Sequence, residues 1–124
     1  MVGLTWIHGW GSTMRREFRE LDELCRKIVR KQERCYVCGR QGTDVAHLFV
    51  RNKLGTRWDL RNLRLLCRIC HTESHGGNDV FRDKYIEKEG LEAYDRVCLA
   101  SNTMVGNVGM FIDKTRRELN EYIG

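Results

Sequence analysis

The chain has 124 residues, 41% of them hydrophobic, and 22 Lys/Arg against 17 Asp/Glu give it a net charge of +5. That length supports one core with helical extensions and no second full domain, so residues 1–124 are expected to form a single domain. No run approaches the roughly 18 apolar residues of a membrane helix, and Met1 to Trp10 lacks the basic start and apolar stretch of a secretory signal, so a soluble, cytoplasmic protein without membrane contact is expected.

Charge divides along the chain: residues 1–71 carry +8 and residues 72–124 carry −3. A cationic half suits a polyanion, since neutralised phosphates release condensed counterions. On charge alone a solvated helix face accounts for it equally well, and the motifs must decide.

The first predicted element is a basic helix over residues 12–34. Phe18, Leu21, Leu24, Cys25, Ile28 and Val29 recur at helical spacing, and Ser12 or Thr13 is available as N-cap. Its other faces carry cations, among them Arg26, Arg30 and Lys31, which are candidate DNA contacts. Residues 35–77 then read as a small module. A knuckle at Cys35 to Gly39 and a turn at Gln41-Gly42 lead to a strand from Asp44 to Phe49, and a loop from Val50 to Asp59 leads to a second strand from Leu63 to Leu66. A short helix from Cys67 to His75 follows, stopped by Gly76-Gly77. Residues 78–124 form a helical extension. Asn78 is placed to cap a helix through Lys88, a second helix covers Leu91 to Leu99, and a turn-rich connector leads to a last helix from Met110 to Ile123. Phe111, Ile112, Leu119, Tyr122 and Ile123 fall near one face of that helix, which suits either core packing or a homodimer interface. The fold class is α+β, mainly helical.

Cys35, Cys38, Cys67 and Cys70 form two Cys-x-x-Cys pairs. Two such knuckles complete the tetrahedral sulfur shell that zinc favours, and a shell closed by four thiolates is structural. A redox dithiol would need one pair in a thioredoxin-like setting, whereas iron shares this ligand set and stays open. A finger built from Cys35, Cys38, His71 and His75 is disfavoured: 32 residues separate Cys38 from His71, against about 12 in a DNA-reading finger. Cys25 and Cys98 read as buried thiols without chemistry. His8 carries no functional case.

A second set of polar residues remains: His47, Asn62, His71 and His75. His71 and His75 lie four apart on one helix, so both imidazoles leave the same face and can share a cation. His47 by itself would be an ordinary surface or core histidine. Three of the chain's four histidines inside residues 35–77, at spacings a metal site can use, favour the constellation.

The run from Asn62 to His71, after Cys35-x-x-Cys38 and the Ala46-His47 step, resembles the HNH endonucleases over residues 35–77. Ala46-His47, Arg51, Thr56-Arg57-Trp58, the segment from Asn62 to Cys70 and His75-Gly76 are most similar to the NinG (Rap) recombination nucleases of lambdoid phages. The resemblance implies a zinc-bound ββα-metal module flanked by the basic helix and the C-terminal helices, and a metal-dependent DNA endonuclease acting in a host cytoplasm on branched or recombination-intermediate DNA. His47 corresponds to the general base, Asn62 to the asparagine that holds the loop between the strands, and His71 to the metal ligand opening the helix. His75 falls where colicin-type nucleases place a further metal histidine. The implied cofactors are structural Zn2+ and a catalytic Mg2+ or Mn2+, and the products carry 5′-phosphate and 3′-hydroxyl ends. Many HNH enzymes have an Asp or His where this chain has Ala46, so the catalytic metal is not fixed by the resemblance; Asp44, on the same strand face as Ala46, is a substitute ligand. The same departure supports an alternative, a zinc-stabilised DNA-binding or assembly protein without cleavage.

The chemistry suits these residue types. A neutral imidazole with a pKa near 6.5 can take a proton from water at physiological pH. A divalent cation on His71 and His75 would stabilise charge developing on the phosphorane and leaving oxygen. Arg51 and Arg57 flank the loop and each could grip a phosphate, or be a solvated loop charge. Trp58 reads as a packing anchor for the loop.

Overall fold

A computed structural model describes residues 2–77 and 79–123, with side chains from residue 14 onward. Among these residues six helices and a two-stranded sheet follow in the order α1 (Val2–Arg30), β1 (Asp44–His47), α2 (Leu54–Arg57), a 3-10 turn (Leu60–Asn62), β2 (Leu63–Leu66), α3 (Arg68–His75), α4 (Val80–Glu89), α5 (Leu91–Ser101) and α6 (Val108–Ile123). β1 and β2 pair antiparallel with Val45 opposite Leu65 and His47 opposite Leu63, and α3 follows at once, giving the strand, strand, helix order.

Strand alternation distributes the core. Val45, Leu63 and Leu65 pack with Leu21, Cys25 and Val29 of α1 and with Ile112 and Leu119 of α6. The opposite face, carrying Ala46 and Leu66, packs with Cys35, Cys67, Cys70, Phe81, Tyr85 and Val97. A two-stranded hairpin is marginal alone, so these two helical layers are what hold it.

The basic helix departs from its expected bounds. It starts at Val2, so Ser12 and Thr13 lie inside it and neither is its N-cap, and it ends at Arg30 rather than near Arg34. The early end has a local cause: Glu33 adopts a left-handed φ of 64° and Arg34 bridges Gln41, which turns the chain into the knuckle. The first strand stops at His47, two residues short of Phe49, and the following loop contains α2. α4 begins at Val80 behind Asp79, which makes no side-chain capping bond; the expected cap, Asn78, lies outside the described residues. α6 buries Ile112 and Leu119 while Tyr122 stays 65% exposed, so most of its apolar face is core. Cys25 is buried and burial pushes its thiol up to about 12; Cys98, expected buried, is only half-buried at the end of α5. Among the described residues no helix is long and apolar enough to cross a membrane.

Candidate active site and metal centre

The four expected cysteines converge. The sulfurs of Cys35, Cys38, Cys67 and Cys70 all lie within 4.8 Å of one another, with Cys38 and Cys67 at 3.7 Å. A zinc tetrahedron with Zn–S bonds of about 2.3 Å sets neighbouring sulfurs ~3.8 Å apart, so the donor set fits the ion. Local backbone builds the cluster. Gly39, at a φ of 79°, closes the knuckle with its N–H donating to the Cys35 carbonyl at 2.9 Å. Cys67 is the N-cap of α3, its sulfur accepting from the Cys70 N–H at 3.5 Å. Burial pushes Cys35 up, but backbone N–H groups and the Cys38 thiol aimed at its sulfur outweigh that and bring it down to about 6. Burial, reinforced by the neighbouring thiols, pushes Cys70 up. Four thiols at this spacing cannot all ionise against one another without a cation to share, which is the condition a divalent metal meets.

A cleft of about 600 Å³ runs beside β1, and His47, His71 and His75 line it together with Asp22, Arg26, Arg51 and Arg57. His47 comes from the end of β1, and its Nε2 lies 3.1 Å from the Arg57 carbonyl. A carbonyl only accepts, so Nε2 carries the proton and Nδ1 keeps its lone pair. Burial lowers the His47 pKa below the ordinary histidine value, against the Arg57 carbonyl and Asp22, which raise it. The ring is therefore neutral at physiological pH.

Asn62 does not line the cleft. Fully buried, it staples the loop behind it: Oδ1 accepts from the Phe49 N–H at 2.7 Å, and Nδ2 donates to the carbonyls of Phe49 at 3.1 Å and Thr56 at 3.0 Å. The Thr56 carbonyl immediately precedes the peptide whose carbonyl holds His47.

On α3, the Nδ1 of His71 donates to Asp44 Oδ2 at 2.9 Å, which leaves Nε2 facing His75 Nε2 at 3.0 Å. Two nitrogens bound to one cation at about 2.1 Å and a right angle are ~3.0 Å apart, so the pair can hold a divalent ion. The Arg68 guanidinium, with His71 and Thr43, holds the Asp44 carboxyl down at about 2. Asp44 thus stands behind His71, where a carboxylate orients a metal-binding imidazole, rather than beside it as a substitute ligand. Ala46 is buried in the core.

The arginines differ. Arg51 has a 62% exposed side chain and one contact to Asp22, whereas Arg57 is 14% exposed and places Nε and Nη2 on the two Asp22 oxygens at 3.1 and 2.8 Å. The Arg57 fork is therefore occupied within the protein and is not offered to a phosphate. Arg26 lines the cleft and pairs with Glu23; Arg30 lines a separate hollow with Arg34 and Gln41; Lys31 is exposed just beyond α1. Trp58 is 3% exposed and packs edge-on to Phe18 at 5.0 Å.

Three charged residues that line the cleft went unnoticed in the sequence: Asp22, Asp79 and Arg82. Asp22 left a trace, since it sits four residues after Phe18 and three before Cys25, on the apolar stripe of a helix whose other faces are basic. A carboxylate there needs a buried partner.

A strand, strand, helix module, a four-thiol knuckle and a histidine-lined basic cleft define a metal-binding module suited to phosphodiester chemistry. Residues 35–77 match the family model described as HNH endonuclease. That match supports nuclease chemistry and DNA as the partner at the level of the family. No curated protein and no solved structure matches the chain.

Proposed function

We propose that the protein is a metal-dependent DNA endonuclease that hydrolyses phosphodiester bonds, with His47 as general base. One observation carries the reading: His47, its Nε2 committed to a backbone carbonyl, shares a cleft with two imidazoles whose Nε2 atoms face each other at 3.0 Å.

His47 Nδ1 takes a proton from water, and the neutral ring that burial favours keeps this lone pair available. Asn62 keeps the loop, and with it the Arg57 carbonyl, in place during the reaction. His71 and His75 would hold a divalent cation, Mg2+ or Mn2+, which when bound supplies charge stabilisation at the phosphate. Cys35, Cys38, Cys67 and Cys70 would hold structural zinc, which joins the knuckle to the start of α3. Arg51 and Arg26 receive flanking phosphates, with Arg30 one helical turn beyond Arg26 and Lys31 past the helix end. Residues 1–124 act as one domain in this reading.

The finer substrate class, branched or recombination-intermediate DNA of a phage-like element, rests on the sequence likeness to the NinG (Rap) proteins, as does action in the host cytoplasm. One active site cuts one strand, so paired incisions require a homodimer. The buried Ala46 supplies no ligand beside His47, and this favours a second reading, a DNA-binding or assembly protein without cleavage.

Nicking of supercoiled plasmid by zinc-loaded protein with Mg2+ or Mn2+ separates the two. Metal-dependent nicks with 5′-phosphate ends are expected; tight binding without nicks would leave the second reading. A panel of duplex, flap, fork and four-way-junction DNA then tests the substrate class, and uniform cutting of all four would reject a branched-DNA preference.

A further inference from the structure

Asp22 lies on α1, outside residues 35–77, yet its carboxylate is the hub of the loop that carries the base-orienting carbonyl. Oδ1 accepts from Trp58 Nε1 at 2.7 Å and Arg57 Nε at 3.1 Å, while Oδ2 accepts from Arg57 Nη2 at 2.8 Å and Arg51 Nη2 at 3.0 Å. The Arg57 guanidinium also lies against the edge-packed pair of Phe18 and Trp58, 5.1 and 5.3 Å from their ring centroids. Arg57 is the last residue of the four-residue helix α2, so its carbonyl has no partner within the helix and is free to accept from His47. A negative charge in a cleft that also presents Arg26, Arg51 and Arg82 weakens the attraction for a polyanion, so the carboxylate does not serve DNA binding.

We propose that Asp22 is a positioning residue for His47: by gripping the side chain of Arg57 it fixes that residue's carbonyl, which holds the imidazole with Nε2 protonated and leaves the Nδ1 lone pair free. The inference rests on the reading of His47 as general base for its catalytic consequence, but the tautomer it predicts is readable without cleavage.

The test compares wild type with Asp22→Asn, both zinc-loaded, by proton–nitrogen correlation spectra of histidine-labelled protein and by steady-state cleavage of plasmid. Wild-type His47 is expected as the single Nε2–H tautomer. In Asp22→Asn it becomes a mixture, kcat falls by about 10- to 100-fold, and KM for DNA stays level or drops, because an anion has left the cleft. An unchanged tautomer with wild-type kcat overturns the proposal. So does a joint loss of kcat and DNA affinity with the tautomer intact, since that marks a role in folding alone. If Asp22→Asn does not fold, Arg57→Lys keeps the charge but cannot place two parallel N–H groups on Asp22; an unchanged His47 spectrum in that variant also overturns the proposal. Absence of cleavage by wild type would remove the general-base reading by itself, and the tautomer comparison would still decide the role of Asp22.

Discussion

Replacing Asn62 with Ala should separate the loop from the sheet without touching either reactive group. The side chain is fully buried; the N–H and carbonyl of Phe49 depend on it, and it adds a bond to the Thr56 carbonyl, which also accepts from the Asp59 N–H. Each hydrogen bond contributes roughly 0.5–1.5 kcal/mol net, and a buried group left without a partner costs about 1–3 kcal/mol, so a loss of about 2–4 kcal/mol is expected after partial relaxation. Urea denaturation of the zinc-loaded protein, with unchanged m-value, measures it. Asn62→Asp sharpens the test. Aspartate still accepts from Phe49 N–H but points oxygen at two carbonyls, so it should be at least as unstable as the alanine variant. Cleavage should fall too, because the Thr56 carbonyl adjoins the peptide that orients His47, and a misplacement of about 1 Å can cost 10²-fold in rate. Stability of Asn62→Ala within about 0.5 kcal/mol of wild type would refute the view that this residue staples the loop.

Cys35→Ser or Cys70→Ser should abolish the cooperative transition and the bound zinc, expected at one ion per chain by metal analysis; folded variants without metal would contradict the assignment. Asp44→Asn should weaken divalent-metal binding, measured by Mn2+ titration, by about 10- to 100-fold while leaving the zinc in place, because it releases His71 Nδ1. The low pKa of Asp44 also has a stability consequence: its contribution is fully present above pH 3.8 and is lost as pH falls toward about 2, which acid titration of the Asn variant against wild type would reveal. His47 has the opposite chemistry but the same direction. Its folded pKa lies below the unfolded value, so it adds stability above pH ~6.5 that declines as pH falls from there toward the folded pKa. The acid limb of kcat/KM should lie below pH ~6.5 for the same reason. Gly55→Ala should destabilise by about 1–3 kcal/mol, because a Cβ there would sit 2.5 Å from the Ala100 carbonyl oxygen of α5; an unchanged melting temperature would contradict that close approach.

The module was legible because its signals are local. Paired cysteines at fixed spacing converge almost wherever a strand and a helix start bring the knuckles together, and β2 was expected at Leu63 to Leu66, where it lies. Helix ends were less legible. Ser12 carries a capping signal that the chain ignores, and the stop after Arg30 depends on the left-handed turn at Glu33 and the bridge from Arg34 to Gln41, neither of which residue type announces. The roles of Arg51 and Arg57 could not be separated in sequence, since what distinguishes them is whether one or two N–H groups reach a carboxylate 35 residues from Arg57. Asp44 was considered as a ligand because spacing puts it near the site; which imidazole nitrogen it meets is a matter of tertiary packing alone.

The central claim concerns His47, and the most direct measurement is the single-turnover cleavage rate of His47→Ala relative to wild type at saturating Mg2+ or Mn2+. Zinc content, melting temperature and DNA affinity are recorded on the same samples. Loss of general-base catalysis predicts a fall of roughly 10²- to 10⁴-fold that added metal does not restore, with the other three quantities near wild type. A wild-type rate, or a variant that loses its zinc and unfolds, would contradict the account.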